Sequence, residues 1–308
     1  MKDIDIYRKE IRTIVADLRV LKESVDEMRR TRQRRGIRVE LATHLLAKLI
    51  AVSEEFLSRE TELMHKASLL RYTLESLILL ILFREEPRTL YSVYYSIYDE
   101  QINKVEWCLA RLRAEIELMG ELEKIENEKL AEVHGELDKL AESGDPAAIQ
   151  KQINRVHAEI EDMVGRKITV YLGAIESKSH SFGKFYLQEE LQPQYAKQLE
   201  HVRKVKNTKA ADLLQTPEFK NLFPGCNEPS QVYEQLKETR SWIEKARATG
   251  LGDEYAFVRD YTSALIHCTS YSFFSRPGLM DDEAALMLRL QVQYLRRCIN
   301  NLKKLCEY

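Results

Sequence analysis

Arg71 and Glu75 stand four residues apart in LLRYTLESLILLILF, the most apolar stretch of the chain. On a helix that spacing puts a guanidinium and a carboxylate on one face. Leu69, Leu70, Leu74, Leu77 and Ile78 surround them and leave almost no polar face, so both charges are expected to be buried. A buried charge is tolerated only when it is paired and hydrogen-bonded. A structural pair that staples the core and a functional pair in a cleft both satisfy this pattern. Ser263 and His267, in DYTSALIHCTS, repeat the spacing. A serine one turn from an imidazole is half of a nucleophile–base pair. No Gly-x-Ser-x-Gly elbow accompanies it, and mid-helix hydroxyls usually bond back to their own main chain. A satisfied core histidine is therefore the expectation.

Arg71-x-x-x-Glu75 early in the chain is joined by a late motif, Trp242 and then GLGDEYAFVRDYTSALIH with Tyr255, Tyr261, Ser263 and His267. In their order and helical context these motifs resemble a bacterial family of all-helical domains with no assigned function. The resemblance covers roughly residues 60–120 and 230–275. It implies that Arg71, Glu75, Ser263 and His267, the candidate catalytic set, converge in one buried polar cluster. It supplies no reaction. It implies an interaction or accessory role, in a bacterial intracellular system of the defence or conflict kind.

A more distant similarity is to HEPN ribonucleases, helical bundles that carry an arginine and a histidine with four to six residues between them. Arg59 and His65 fit with five residues between them, although Glu60 stands where that family usually has Asn, Asp or His. That similarity implies a metal-independent endoribonuclease as the alternative function. His65 would act as acid and base beside a phosphate-holding arginine, commonly across a dimer.

Arg29, Arg30, Arg32, Arg34, Arg35 and Arg38 form a dense basic run with no acid among them. Such a patch can hold the phosphates of RNA or DNA. It lacks interleaved aromatics for base stacking, and pairing with an acidic segment of this or another chain fits equally well. His44, His65, His180 and His201 show no His-x3-His or HExxH spacing. No metal site and no cofactor is expected.

These residues need elements to position them, and the sequence supplies helices. Ile4, Tyr7, Ile11, Ile14, Leu18, Leu21, Val25 and Met28 alternate three and four apart, the seam of a coiled-coil helix. A second helix is predicted over about 37–84, stopped by Pro87. The next carries Tyr91, Tyr94, Tyr95 and Tyr98, then Ile102 through Met119 at heptad spacing. It turns at ESGDPAA into a helix bearing Ile149, Ile153, Val156, Ile160 and Met163. Residues 102–142 and 146–163 should thus form an antiparallel hairpin. It holds 14 acids against 6 Lys or Arg between Arg113 and Asp162. Further helices are predicted over 231–248, 253–273 and 281–306, and Thr216-Pro217 reads as a helix start.

The expected fold is all-α, a helical bundle with an N-terminal coiled-coil helix and a protruding hairpin. Its parts are 1–101, 102–165 and 166–308. Eleven Gly and seven Pro are too few for the turns of an all-β fold. Leu77–Phe83, the longest apolar run, is far short of the roughly 20 residues that span a bilayer. The first residues, MKDIDIYRKE, have no apolar core of a signal peptide. Five cysteines show no CxxC pair, so reduced thiols and a cytoplasmic location are expected, with no membrane partner. A protein partner or a homodimer is expected, because one helix cannot bury the first seam alone. Its cover is either the second helix of the same chain or the same helix of another subunit.

Overall fold

The computed structural model describes residues 2–30, 36–58, 63–142, 146–165, 171, 180–266 and 281–307. Among these there is no strand, and the fold is all-α. The helices are α1 (Lys2–Arg30), α2 (Ile37–Leu57), α3 (Leu63–Glu85), α4 (Pro87–Glu142), α5 (Pro146–Gly165) and α6 (His180–Phe185). A π-helical turn, Tyr186–Leu191, leads into α7 (Gln192–Gln215). There follow α8 (Pro217–Leu222), α9 (Pro229–Leu236), α10 (Trp242–Ala248), α11 (Gly252–Ile266) and α12 (Asp281–Glu307). No described helix is long and apolar enough to cross a membrane.

The chain divides into two compact units, residues 1–96 with 212–308, and residues 97–211. In the first, α3 is the central helix and packs against α2, α10, α11 and α12. Leu70, Leu74, Leu77, Ile78 and Leu80 are each at most 1% exposed, which is why α3 is apolar around most of its circumference. Gln291 Nε2 donates to Thr73 Oγ1 at 3.0 Å, and Arg84 Nη1 to Asn301 Oδ1 at 3.0 Å. Between those contacts α3 advances eleven residues and α12 ten, so the two helices run parallel. The seam of α1 is covered within the chain by α2 and α12, with Ile11, Leu18 and Val25 at 0% exposure.

Two predicted helices are each two. The helix expected over 37–84 stops at Ser58, whose ψ of 139° is extended, and resumes at Leu63. The sequence Ser-Arg-Glu-Thr-Glu at 58–62 offers no apolar position to bury, and the two helices on either side of it, α2 and α3, pack on each other. The helix expected over 231–248 breaks at 237–241. α10 restarts with a capping box, Ser241 Oγ accepting from Glu244 N while Glu244 Oε2 accepts from Ser241 N. It ends at Gly250, whose φ of 71° suits glycine, with Gly250 N bonded to Arg247 O and Leu251 N to Ala246 O. α11 occupies the start of the expected 253–273, and the rest of that span lies outside the described residues.

In the second unit α4 and α5 form the expected hairpin. Lys129 pairs with Glu159, and Arg155 adds a bond to the same carboxylate at 3.3 Å. Lys129 lies thirteen residues before the end of α4 at Glu142, and Glu159 thirteen residues after the start of α5 at Pro146. That symmetry is the register of an antiparallel pair. Val156 is 5% exposed in the seam, whereas the side chain of Ile160 and the turn at 143–145 lie outside the described residues. α7 runs antiparallel to the first part of this unit's α4 segment, through Arg203–Glu106 at 2.7 Å and Lys206–Asp99.

Candidate functional site

On α3, Arg71 Nε donates to Glu75 Oε1 at 2.8 Å, the contact the four-residue spacing predicts. From α11, the Tyr255 hydroxyl donates to the same Oε1 at 3.2 Å and accepts from Arg71 Nη2 at 3.2 Å. The three groups close a triangle that ties α3 to α11. Tyr255 is 2% exposed, while the side chains of Arg71 and Glu75 are 32% and 19% exposed. The triangle is therefore a half-shielded cluster, not a sealed core pair. Trp242 stacks on the Tyr255 ring, with centroids 6.3 Å apart and planes inclined by 28°, and Lys245 Nζ sits 5.1 Å from the Trp242 ring.

Electrostatics fix the charge states. Burial opposes the charge on Arg71, but the hydrogen bond and charge of Glu75 outweigh it and hold the guanidinium above its ordinary value. Burial, and then the Glu75 charge, push the Tyr255 hydroxyl up, so it serves as a neutral donor. Glu75 accepts from both partners, an arrangement that orients and clamps.

Of the expected four-residue set, the structure brings Arg71 and Glu75 together. Ser263 is half-buried on α11, eight residues beyond Tyr255 and so about 12 Å further along the axis. His267 lies outside the described residues. Tyr255 stands in the late motif, but its contact with α3 could not be read there, because that contact spans 180 residues of sequence.

Of the expected nuclease pair, Arg59 lies outside the described residues. The His65 side chain is 55% exposed, with Nε2 3.9 Å from Glu55 Oε1. Among the described residues, the Glu55 carboxylate is thus a charged neighbour of that imidazole. In the basic run, Arg29 and Arg30 are exposed at the end of α1, and Arg30 lies 3.9 Å from Glu27. Arg38 is bonded to Glu218 at 2.8 Å, and Arg32, Arg34 and Arg35 lie outside the described residues. Among the described residues no group of three or more His, Cys, Asp or Glu is placed to hold a metal ion.

Two polar centres carried no motif. Arg240 Nη1 donates to Glu86 Oε2 at 2.9 Å, Nη2 to Thr89 Oγ1 and Glu238 Oε2 at 3.0 Å each, and Nε to Glu238 Oε1 at 3.1 Å. In the second unit Glu115, 1% exposed, accepts from Arg111 Nε at 2.9 Å and from the main-chain N of Tyr171 at 3.0 Å. The Arg111–Glu115 spacing was a visible signal, but a four-residue pair on a long charged helix usually lies in water. No family model, curated protein or solved structure matches the chain.

Proposed function

We propose that this chain is a helical interaction protein, an accessory component that works by docking a protein partner. The observation that carries this reading is Trp107, 73% exposed on α4. A tryptophan left in water forgoes a large burial free energy that a partner can recover, and tryptophan is enriched among residues that dominate interfaces. Lys104 and Arg111 stand one turn to either side of it and Ala110 beside it. A partner offering an apolar pocket with an acidic rim fits that face. The mutual bonding of Arg71, Glu75 and Tyr255 supports the same reading, since a clamp between helices is a structural use of those groups. The setting, a bacterial intracellular system of the defence or conflict kind, rests on the resemblance of the two motifs alone.

The test places a photo-crosslinking residue at position 107, with Glu117, also exposed on α4, as control. One discrete protein adduct at 107 and none at 117 is the expected result. Identical adducts at both positions would remove the proposal. So would metal-independent cleavage of RNA by the purified chain that His65→Ala abolishes, since that outcome belongs to the nuclease alternative.

A further inference from the structure

Where α1 gives way to α2, the first unit holds a cavity of about 780 Å³, within the size range of small-molecule sites. Its walls come from the end of α1, the first turn of α2, Tyr91 of α4 and the start of α8. The charges around it divide into those already paired and those not. Asp26 holds Lys22 at 2.6 Å. Glu218 accepts from Arg38 at 2.8 Å, and burial and then the Glu218 charge hold the Tyr91 hydroxyl well above its ordinary value. The Arg29 and Glu40 side chains, by contrast, make no ion pair or hydrogen bond among the described residues. The acid beside Arg30 is Glu27, at 3.9 Å with both side chains mostly in water, a contact that salt and solvent largely screen.

Among the described residues the cavity therefore presents two guanidiniums and one carboxylate with little or no pairing, and apolar lining from Ile37, Val39 and the buried Tyr91. Guanidiniums match phosphate oxygens through paired N–H bonds. A carboxylate accepts from sugar hydroxyls or an exocyclic amine, and apolar walls take the face of a base. A molecule that carries all three groups within this volume is a nucleotide. We propose that the cavity binds a nucleoside monophosphate, with its phosphate on Arg29 and Arg30 and its hydroxyls or amine on Glu40. This assignment goes beyond the docking role of Trp107, uses none of its residues, and stands or falls separately. The same chemistry arises from a free nucleotide and from the 5′-phosphorylated end of an RNA strand.

The experiment titrates the full chain with AMP, with a short 5′-phosphorylated RNA and with its 5′-hydroxyl counterpart, and follows backbone amide signals together with calorimetric affinity. AMP is expected to shift the amides of Ile37 and Thr216, which line the cavity. Arg29→Ala with Arg30→Ala lowers the affinity at least about tenfold, the loss expected for charged phosphate contacts. Glu40→Gln weakens AMP while leaving inorganic phosphate unchanged, which separates the carboxylate's role from bulk charge. A phosphorylated strand that binds more tightly than AMP assigns the site to strand ends, and AMP binding as well or better assigns it to free nucleotides. If the hydroxyl strand binds as tightly as the phosphorylated one, or if AMP leaves Thr216 unmoved at millimolar concentration, the site does not exist.

Discussion

Arg240 Nη1 lies 2.9 Å from Glu86 Oε2, a contact between residues 154 apart that joins the loop before α10 to the corner between α3 and α4. With Thr89 and both oxygens of Glu238 it uses most of the guanidinium fork. Arg240→Ala should lower stability by about 1–3 kcal/mol, as expected when several partners lose a charged donor. Arg240→Lys should recover less than half of that, because an ammonium cannot reproduce the fork. Urea unfolding checks both.

The same cluster sets an acid response. Burial would raise the Glu238 carboxyl, but the side-chain and main-chain bonds from Arg240 overcome it and lower it below 4.5. A carboxyl lowered in the folded state contributes stability above its unfolded value and loses it as pH falls through the folded value. Stability should thus decline below about pH 4.5, and Arg240→Ala should flatten that decline. A variant with an unchanged acid limb would show that Glu238 does not carry it.

Tyrosines set the alkaline limb. Burial and then the Glu254 charge push Tyr294 up to about 12, and Tyr255 is raised as well. A group raised in the folded state stabilises fully below its unfolded value, here 10.0, and loses that contribution as pH climbs through the folded value. Stability should stay level to about pH 10 and fall beyond it. Tyr255→Phe, which leaves the Arg71–Glu75 pair in place, should cost about 1 kcal/mol and reduce the alkaline loss. Ultraviolet titration of the phenols together with denaturant unfolding measures both effects.

Glu115 separates burial from bonding. Replacement by Ala leaves a void and removes the acceptor for Arg111 and for Tyr171 N, and should cost about 2–4 kcal/mol. Glu115→Leu fills the void and should cost less, since Arg111, with its side chain 41% exposed, can turn to water. Equal losses in the two variants would show that the bonds, not the packing, matter there.

Trp107 and Trp242 are the two tryptophans of the chain, and they differ in setting. Trp107→Ala should change stability by less than about 0.5 kcal/mol, as for an exposed side chain away from special features. It should also abolish the iodide-quenchable part of the fluorescence, leaving Trp242 stacked on Tyr255. Persistent strong quenching in the variant would place Trp242, not Trp107, in open water.

The sequence by itself determined the all-α class, the amphipathic first helix, the hairpin register and the Arg71–Glu75 pair. All of these depend on spacings of three, four and seven residues, and such local periodicities survive in a linear string. Caps were legible for the same reason, as Thr216-Pro217 opening α8 shows. Tertiary structure alone decided that the α1 seam is covered by α2 and α12 of the same chain, and that Tyr255 is the residue that closes on Arg71 and Glu75. It likewise made Arg240 a hub and left Glu40 beside a cavity. Helical periodicity states which face is apolar but not what meets it. The division of the helix expected over 37–84 into α2 and α3 was missed for that reason, since the packing of α2 on α3 is a tertiary contact.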